Sequence, residues 1–188
     1  MCFNFSVAIM NRLLEKYIKE VVPALKKEFG YKNNLEVPKI EKVVLNSGVG
    51  RVAKDEKMVD WVEKNLTKIA GQKAVPSKAK KAIASFKTRQ GMNIGVRVTL
   101  RKDKMYEFMD RFISLALPRT RDFRGIDKKN VDQNGNLHVG IKEDIIFPEV
   151  SHERAGNIFG FQVSMVTNCG DKAAAEKLFS LMGFPIKK

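Results

Sequence analysis

The sequence contains little cysteine and no long apolar run, and both absences limit what the protein can be. Cys2 and Cys169 are its only cysteines, too few for a disulfide scaffold and typical of a reducing compartment. No apolar run reaches the roughly 18 residues that a membrane-spanning helix needs. The opening MCFNFSVAI lacks the basic start and the cleavage pattern of a signal peptide. We therefore predict a cytoplasmic protein with no membrane partner.

Internal repeats and low-complexity tracts are also missing, so the predicted organisation is simple. A chain of 188 residues, 44% of them apolar, is long enough for one globular domain with a sizeable core. A well-patterned helical segment begins at Met10, which makes this residue the simplest natural start. We predict that residues 1–9 are an N-terminal extension and that residues 10–188 form a single domain.

Acidic residues are missing from one long stretch, residues 64–102, which we call the basic segment. The chain has 35 Lys and Arg against 21 Asp and Glu, a net charge of +14, and most of the excess lies in this segment. Charge segregated in this way is self-repelling and is stabilised by a polyanion, which indicates nucleic acid. A solvated basic loop is the plainer alternative. A membrane surface is disfavoured because the segment is not an amphipathic helix.

Apolar periodicity predicts alternating helices and strands. A helix beginning near Leu13 should be kinked or split by Pro23. Further helices are expected after three capping residues, Asp55, Asp103 and Asp171, and Pro118 should stop the second of these. Strands are predicted at 39–49, 92–101, 137–141 and 159–165, with a short strand and a long loop in 73–91 and a turn at 134–135.

The strands alternate apolar and polar residues instead of being apolar throughout. This pattern predicts an α+β fold, a single-layer, mostly antiparallel sheet with helices on one face and an open polar face. The residues expected on the open face are Arg97, Thr99, Arg101, His138, Lys142, Gln162, Ser164 and Asn168. Their basic and amide side chains suit phosphates and base edges.

The strongest enzyme-like signal is a glycine turn between a strand and a helix. Gly48, Gly50 and Ala53 have the spacing of a dinucleotide-binding fingerprint. The acidic residue that should follow some twenty positions later is missing, because that position falls in the basic segment. We therefore expect no cofactor, and we interpret the motif as a tight turn that needs glycine.

Metal and acid–base chemistry are also disfavoured. The candidate ligands Cys2, Cys169, His138 and His152 have no ligand spacing. Glu149 lies near His152 in sequence and could form an acid–base pair, but a solvated loop is the preferred interpretation. We expect no enzyme and no metal.

RNA is favoured over DNA as the polyanion. No helix presents the basic recognition face of a helix-turn-helix protein. The polar sheet face lacks the aromatic residues of an RNA recognition motif. Amides and hydroxyls between Lys and Arg suit a folded RNA, contacted through its backbone, its 2′-hydroxyls and a few base edges.

Five ordered sequence blocks resemble the bacterial ribosomal protein L-five family, whose members bind 5S rRNA in the large subunit. The blocks are VPKIEKVVLNSGVG, AGQKAVPSKAKKAIASFKTRQGMNIGVRVTLR, PRTRDFRGI, NGNLHVGIKEDIIFPE and the terminal FPIKK. The resemblance runs from about Met10 to Lys188. It implies a sheet covered by helices on one side, with a concave open side and nearby loops that grip 5S rRNA.

The resemblance also implies partners and site residues. Asn46, Gln72 and Thr99 match family positions that hydrogen-bond 5S rRNA. Family members lie in the central protuberance, contact small-subunit protein S-thirteen across an inter-subunit bridge, and bring a loop near the peptidyl-site tRNA. Residues 80–91 match that loop. Large-subunit rRNA and neighbouring ribosomal proteins are the remaining expected partners.

Together these arguments predict a non-enzymatic constituent of the cytoplasmic ribosome. Besides the three polar residues, the predicted RNA-binding residues are Lys73, Lys78, Lys80, Lys81, Lys87, Arg89, Arg97 and Arg101. Two alternatives remain, a nucleotide-dependent enzyme that uses the Gly48 turn and a free-standing RNA chaperone.

Overall fold

The first helical segment is divided, as the position of Pro23 predicts. A computed structural model describes residues 11–52, 55–121, 123–150 and 158–187, so residues 1–9 and their predicted role lie outside the described residues. Helix α1 (Arg12–Lys16) is capped by Asn11 and leads into a π-helical turn, Tyr17–Val21. Pro23 then lies in the first turn of α2 (Val22–Phe29), where its missing N–H needs no partner.

Two of the three predicted aspartate caps are confirmed. Asp55 accepts hydrogen bonds from the first-turn backbone of α3 (Glu56–Ala70), and Asp171 does the same for α6 (Lys172–Met182). The prediction for Asp103 was wrong: Arg101 occupies the cap of α4 (Lys102–Arg111), and Asp103 lies in its first turn. There its negative charge still suits the positive end of the helix dipole.

The helix that follows the third strand extends one residue beyond its predicted stop. After α4 the chain makes a second π-helical turn, Phe112–Ala116, and then the short α5, Leu117–Arg119. Pro118 lies at the start of α5, where a proline is tolerated, so the helix ends at Arg119. None of the helices in the described part of the chain has the length and apolarity that crossing a bilayer requires.

In the residues that the structure describes, five strands form one antiparallel sheet. They are β1 (Ile40–Gly48), β2 (Val75–Lys78), β3 (Asn93–Leu100), β4 (Leu137–Ile141) and β5 (Phe161–Thr167). Their spatial order is β2-β3-β1-β5-β4, and every pairing is antiparallel. The long strand β1 is therefore central, and the predicted α+β class with an antiparallel sheet is confirmed.

The two faces of the sheet differ in burial, as the alternating pattern predicts. The apolar residues of one face are buried in the core, among them Val43, Leu45, Val98 and Val163. The opposite face, which we call the open face, carries half-buried or exposed residues in every strand. This alternation places a set of polar side chains on one accessible surface.

A cluster of phenylalanines attaches the segment after β4 to the helical layer. Phe147 is buried and stacks on Phe108 and Phe112, with ring centroids 5.9 and 6.4 Å apart. Phe147 also contacts Phe161 of β5 at 5.9 Å. Burying each such ring contributes about 1.5–3 kcal/mol. The core therefore fixes one face of the sheet to its helices and leaves the open face accessible.

Candidate nucleic-acid interface

A continuous row of residues crosses the open face from one edge of the sheet to the other. Strand register places Val75, Arg97, Asn46, Gln162 and Gly140 side by side on β2, β3, β1, β5 and β4. Four steps between neighbouring strands, each about 4.8 Å, make the row about 19 Å long. Three adjacent polar side chains, those of the central strands, therefore occupy its middle.

Asn46 lies at the centre of this row. Its side chain is exposed and makes no hydrogen bond within the described part of the chain. Gly95 of β3 lies beside it, and a Cβ at that position would be 3.8 Å from Asn46 Oδ1. The missing side chain at Gly95 leaves room around the amide, so its donor and its acceptor are both accessible to a ligand.

The structure brings the other two predicted polar readers to the same area. Thr99 lies two residues along β3 from Arg97, the cross-strand partner of Asn46. Diagonal neighbours of this kind are about 7–8 Å apart. Gln72 follows α3, and its Nε2 donates a hydrogen bond to the Thr99 carbonyl oxygen at 3.1 Å. One N–H of the Gln72 amide therefore holds β3, and its second N–H and its oxygen make no hydrogen bond within the described part of the chain.

A second row on the open face contains an interaction that the sequence did not reveal. Val44 separates Thr99 from Ser164, and Ser164 is paired with His138 of the edge strand β4. His138 Nδ1 lies 3.0 Å from Ser164 Oγ, and Nε2 lies 3.6 Å from an oxygen of Asp132. Sequence spacing could not have found the contact between His138 and Ser164, because these two residues meet only through the pairing of β4 with β5.

The pKa of Asp132 is lowered in this cluster. Burial raises it, but hydrogen bonds from the side chain and backbone of Asn136, together with His138, outweigh that effect. Asp132 therefore stays ionised and fixes the end of β4. The arrangement is not a hydrolytic triad, since the carboxylate faces Nε2 and the hydroxyl faces Nδ1, the reverse of the productive order.

All eight predicted basic residues are exposed. None of them forms an ion pair within the described part of the chain, and the pairs that do form lie elsewhere. The eight basic residues lie in or next to β2, in the following loop, and in or next to β3: Lys73, Lys78, Lys80, Lys81, Lys87, Arg89, Arg97 and Arg101. Unpaired and solvated, these cations can exchange their counterions for phosphates.

The loop between β2 and β3, residues 79–92, has an ordered hydrogen-bond pattern. Ala79 exchanges backbone hydrogen bonds with Gly91 and Met92, and Ile83 pairs with Thr88. A short 3-10 turn, Ala84–Phe86, forms the tip and ends at Lys87 in the left-handed conformation. The predicted short strand followed by a long loop is confirmed, and the loop carries its lysines on a defined backbone.

The glycine turn does not have the backbone that was expected. Neither Gly48 nor Gly50 is among the positive-φ glycines, and a Cβ at Gly48 would meet nothing within 4 Å. A Cβ at Gly50 would meet only the Ile94 carbonyl oxygen, at 3.9 Å. The interpretation that this turn needs glycine for its own geometry was wrong. Ala53, the third fingerprint residue, lies outside the described residues.

The remaining candidate chemistry does not assemble in the described part of the chain. No group of three or more metal-ligating side chains occurs there. Glu149 is paired with Arg111, whose guanidinium also donates to the Ile69 carbonyl. Cys169 is buried, whereas Cys2 and His152 lie outside the described residues.

Two family models together match most of the chain. Residues 33–89 match the family model described as "Ribosomal protein L5", and residues 93–186 match the model for the C-terminus of the same ribosomal family. The chain is 50% identical over 179 residues to "Large ribosomal subunit protein uL5" of Desulfotalea psychrophila, which covers 95% of this chain and 100% of that protein.

Two further relatives carry the same description and the same coverage. The Thermoanaerobacter protein is 50% identical, and the Carboxydothermus hydrogenoformans protein is 46% identical, each over 179 residues. Such identity over nearly the full length of each relative excludes a resemblance limited to one motif. The chain therefore belongs to the ribosomal protein L5 family, and it is a structural constituent of the large subunit of the cytoplasmic ribosome and not an enzyme.

Proposed function

We propose that the open face and the basic segment bind 5S rRNA and help to attach it in the central protuberance. The observation that carries the proposal is the central row of Arg97, Asn46 and Gln162, whose side chains make no hydrogen bond or ion pair within the described part of the chain. The sheet holds these groups at fixed spacing on a solvated surface. Preformed and unpartnered polar groups of this kind suit the edges and the backbone of a folded RNA.

Two kinds of contact contribute to RNA binding, one to its selectivity and the other to its affinity. The neutral side chains Asn46, Thr99 and Gln72 can exchange directional hydrogen bonds with base edges or 2′-hydroxyls, so they supply selectivity. The exposed lysines and arginines supply affinity for any phosphate backbone, and that affinity falls with salt. Selectivity therefore lies at the rigid centre of the sheet, and general affinity lies along its β2–β3 edge.

Further partners follow from family membership and are part of the proposal. Large-subunit rRNA and neighbouring ribosomal proteins would surround the chain. Small-subunit protein S-thirteen would meet it across an inter-subunit bridge, and residues 80–91 would approach the peptidyl-site tRNA. The exposed lysines at 80, 81 and 87 are compatible with a contact to a tRNA backbone.

A salt titration tests the division between selectivity and affinity. Asn46→Ala should weaken binding of 5S rRNA by about 1–3 kcal/mol, and it should leave the slope of log affinity against log salt unchanged. Replacing Lys80, Lys81 and Lys87 together by Gln should weaken binding of 5S rRNA and of an unrelated RNA alike. Each lost phosphate contact should also lower the slope by about 0.7–0.9.

A matched variant controls for net charge. Lys27, Lys32 and Lys57 are exposed and form no ion pair within the described part of the chain, and their replacement by Gln removes the same charge from another surface. This control should keep most of the salt slope. If Asn46→Ala binds 5S rRNA as tightly as the original chain, or if the two triple-Gln variants have equal slopes, the proposal is wrong.

A further inference from the structure

An open groove lies at the end of the sheet where β1 ends and β3 begins. It occupies about 1080 Å³ between the turn after β1 and loop 79–92. Its apolar lining consists of Ile83, Phe86, Met92 and Ile94, and Gly48 and Gly50 of the turn after β1 also line it. We call it the Phe86 groove.

The apolar residues of this groove are unusually accessible. Phe86 is 74% exposed, Ile83 47% and Ile94 37%. The fold leaves these side chains in water although burying each would contribute about 1.5–3 kcal/mol. Loop 79–92 also holds them in place, because the Ile83–Thr88 bridge and the Ala84–Phe86 turn fix the tip. A preformed apolar surface of this kind suits a ligand with a flat apolar face.

Charge decides the class of ligand. Lys80, Lys81 and Lys87 border the groove, and none of the described residues that line it is acidic. An apolar floor with a cationic rim suits a group that combines an aromatic ring with phosphates. An apolar peptide segment or a second copy of this basic chain would not use the three lysines, and a second copy would bring further positive charge.

The two glycines supply an independent observation. Gly48 and Gly50 border the groove, yet neither backbone conformation nor packing within the described part of the chain requires glycine at these positions. A residue without a side chain also serves where a ligand approaches the backbone closely. The groove is open at both glycines, so an added side chain would fill ligand space without disturbing the fold.

We propose that the Phe86 groove takes one unpaired nucleobase of an RNA strand, stacked on Phe86 and passing over Gly48, with its flanking phosphates on Lys80, Lys81 and Lys87. The proposal rests on the proposed RNA-binding function and adds a second contact, separate from the open face. Stacking on an exposed ring tolerates any base and requires that the base be extruded, so it selects unpaired over paired RNA.

The experiment compares two RNAs that share one stem sequence. One is closed by an unpaired loop that carries a fluorescent adenine analogue, and the other is a fully paired duplex of the same length. Phe86→Ala should weaken binding of the loop RNA about 5- to 100-fold and leave binding of the duplex unchanged. Phe86→Ala should also abolish the fluorescence change on binding, and Phe86→Tyr should keep both the affinity for the loop RNA and the fluorescence change.

Gly48→Val tests the glycine lining of the groove. Because a Cβ there meets nothing within 4 Å, the melting temperature should stay within a few degrees of the original, while binding of the loop RNA should fall as for Phe86→Ala. Leu35→Ala is the control, since Leu35 is 88% exposed on a different loop and its removal should change neither RNA.

Three results would overturn the proposal. The first is unchanged binding of the loop RNA by Phe86→Ala and Gly48→Val. The second is an equal loss of affinity for the loop RNA and the duplex in these variants, which would assign the effect to general affinity for RNA. The third is a change in the sedimentation of the RNA-free chain on Phe86→Ala, which would assign the groove to a second copy. Failure to select 5S rRNA, with selective binding of the loop RNA retained, would refute the proposed function alone.

Discussion

Gly135→Ala is the sharpest single test of how the edge strand β4 is held. Gly135 has φ +75°, and a Cβ there would lie 3.0 Å from Ala175 Cβ, 3.1 Å from Cys169 Cβ and 3.1 Å from the Cys169 carbonyl oxygen. The left-handed backbone costs an alanine about 1–2 kcal/mol, and forcing a methyl group into packed surroundings costs about 1–3 kcal/mol more. We expect a total loss of about 2–5 kcal/mol of unfolding free energy.

Gly30→Ala is the matched control, because it carries the cost of a left-handed backbone without the steric clash that an alanine meets at Gly135. Gly30 has φ +71°, but a Cβ there would meet nothing within 4 Å. It should therefore lose only the backbone part, about 1–2 kcal/mol. Both variants reduce the entropy of the unfolded chain equally, so the difference between them measures the clash alone.

Urea denaturation followed by circular dichroism gives both values from one assay, provided that the slope against urea stays the same. A Gly135 variant that loses no more than the Gly30 variant would show that α6 and the segment around Cys169 can move away. The packing that holds the turn before β4, including the Thr167 hydroxyl hydrogen bond to the Gly135 carbonyl at 2.8 Å, would then be softer than the structure indicates.

Three other predictions concern buried or titrating groups. Ser47 is 1% exposed and its hydroxyl donates to the Gly160 carbonyl at 2.9 Å, so Ser47→Ala should cost about 1–3 kcal/mol in the same urea assay; an unchanged midpoint would contradict this. Burial raises the pKa of Tyr17 to about 12, and a raised pKa means that its stabilisation is present below about pH 10 and is lost as the pH rises through 12. Tyr17→Phe should therefore flatten the alkaline loss of stability, and an equally steep loss would refute the assignment. Although burial raises the pKa of Asp132, hydrogen bonds from Asn136 lower it overall, so its stabilisation is present at neutral pH and is lost as the pH falls through the lowered value. Asp132→Asn should make acid melting curves less dependent on pH, and curves that still follow the original would contradict this.

Strand alternation predicted the sheet well because burial of one face imposes a period of two on the sequence. Five of the residues expected on the open face, Arg97, Thr99, His138, Gln162 and Ser164, do lie there on β3, β4 and β5, since a register error of one residue would have buried Arg97 or Gln162. Arg101, Lys142 and Asn168 lie just beyond the ends of these strands. Two helix caps were also predictable, for a different reason: Asp55 and Asp171 bond to the backbone of their own helices, so the signal is local in sequence. The cap of α4 was not predictable in this way. Whether Arg101 or Asp103 occupies it depends on the residue at which β3 ends.

The predicted site residues could be placed on elements from sequence, but their mutual arrangement could not. The sheet order β2-β3-β1-β5-β4 sets Arg97 beside Asn46 and Gln162 across large sequence separations. No local signal encodes that order. The same holds for the contact between His138 and Ser164, and for the hydrogen bond from Gln72 to the Thr99 carbonyl.

Under the proposed function, neutral hydrogen-bonding groups at the sheet centre and lysines on loop 79–92 act at different stages of assembly on RNA. Long-range attraction acts first, because unpaired lysines on loop 79–92 attract phosphates before any base contact forms. Directional hydrogen bonds at Asn46 and Thr99 act only at contact, and strands paired on both sides hold those atoms in place. Since these lysines form no ion pair within the described residues, binding need not break contacts that stabilise the fold there. We therefore predict that a non-cognate RNA is attracted and then released when the central hydrogen bonds fail to form, so that discrimination lies in the dissociation rate.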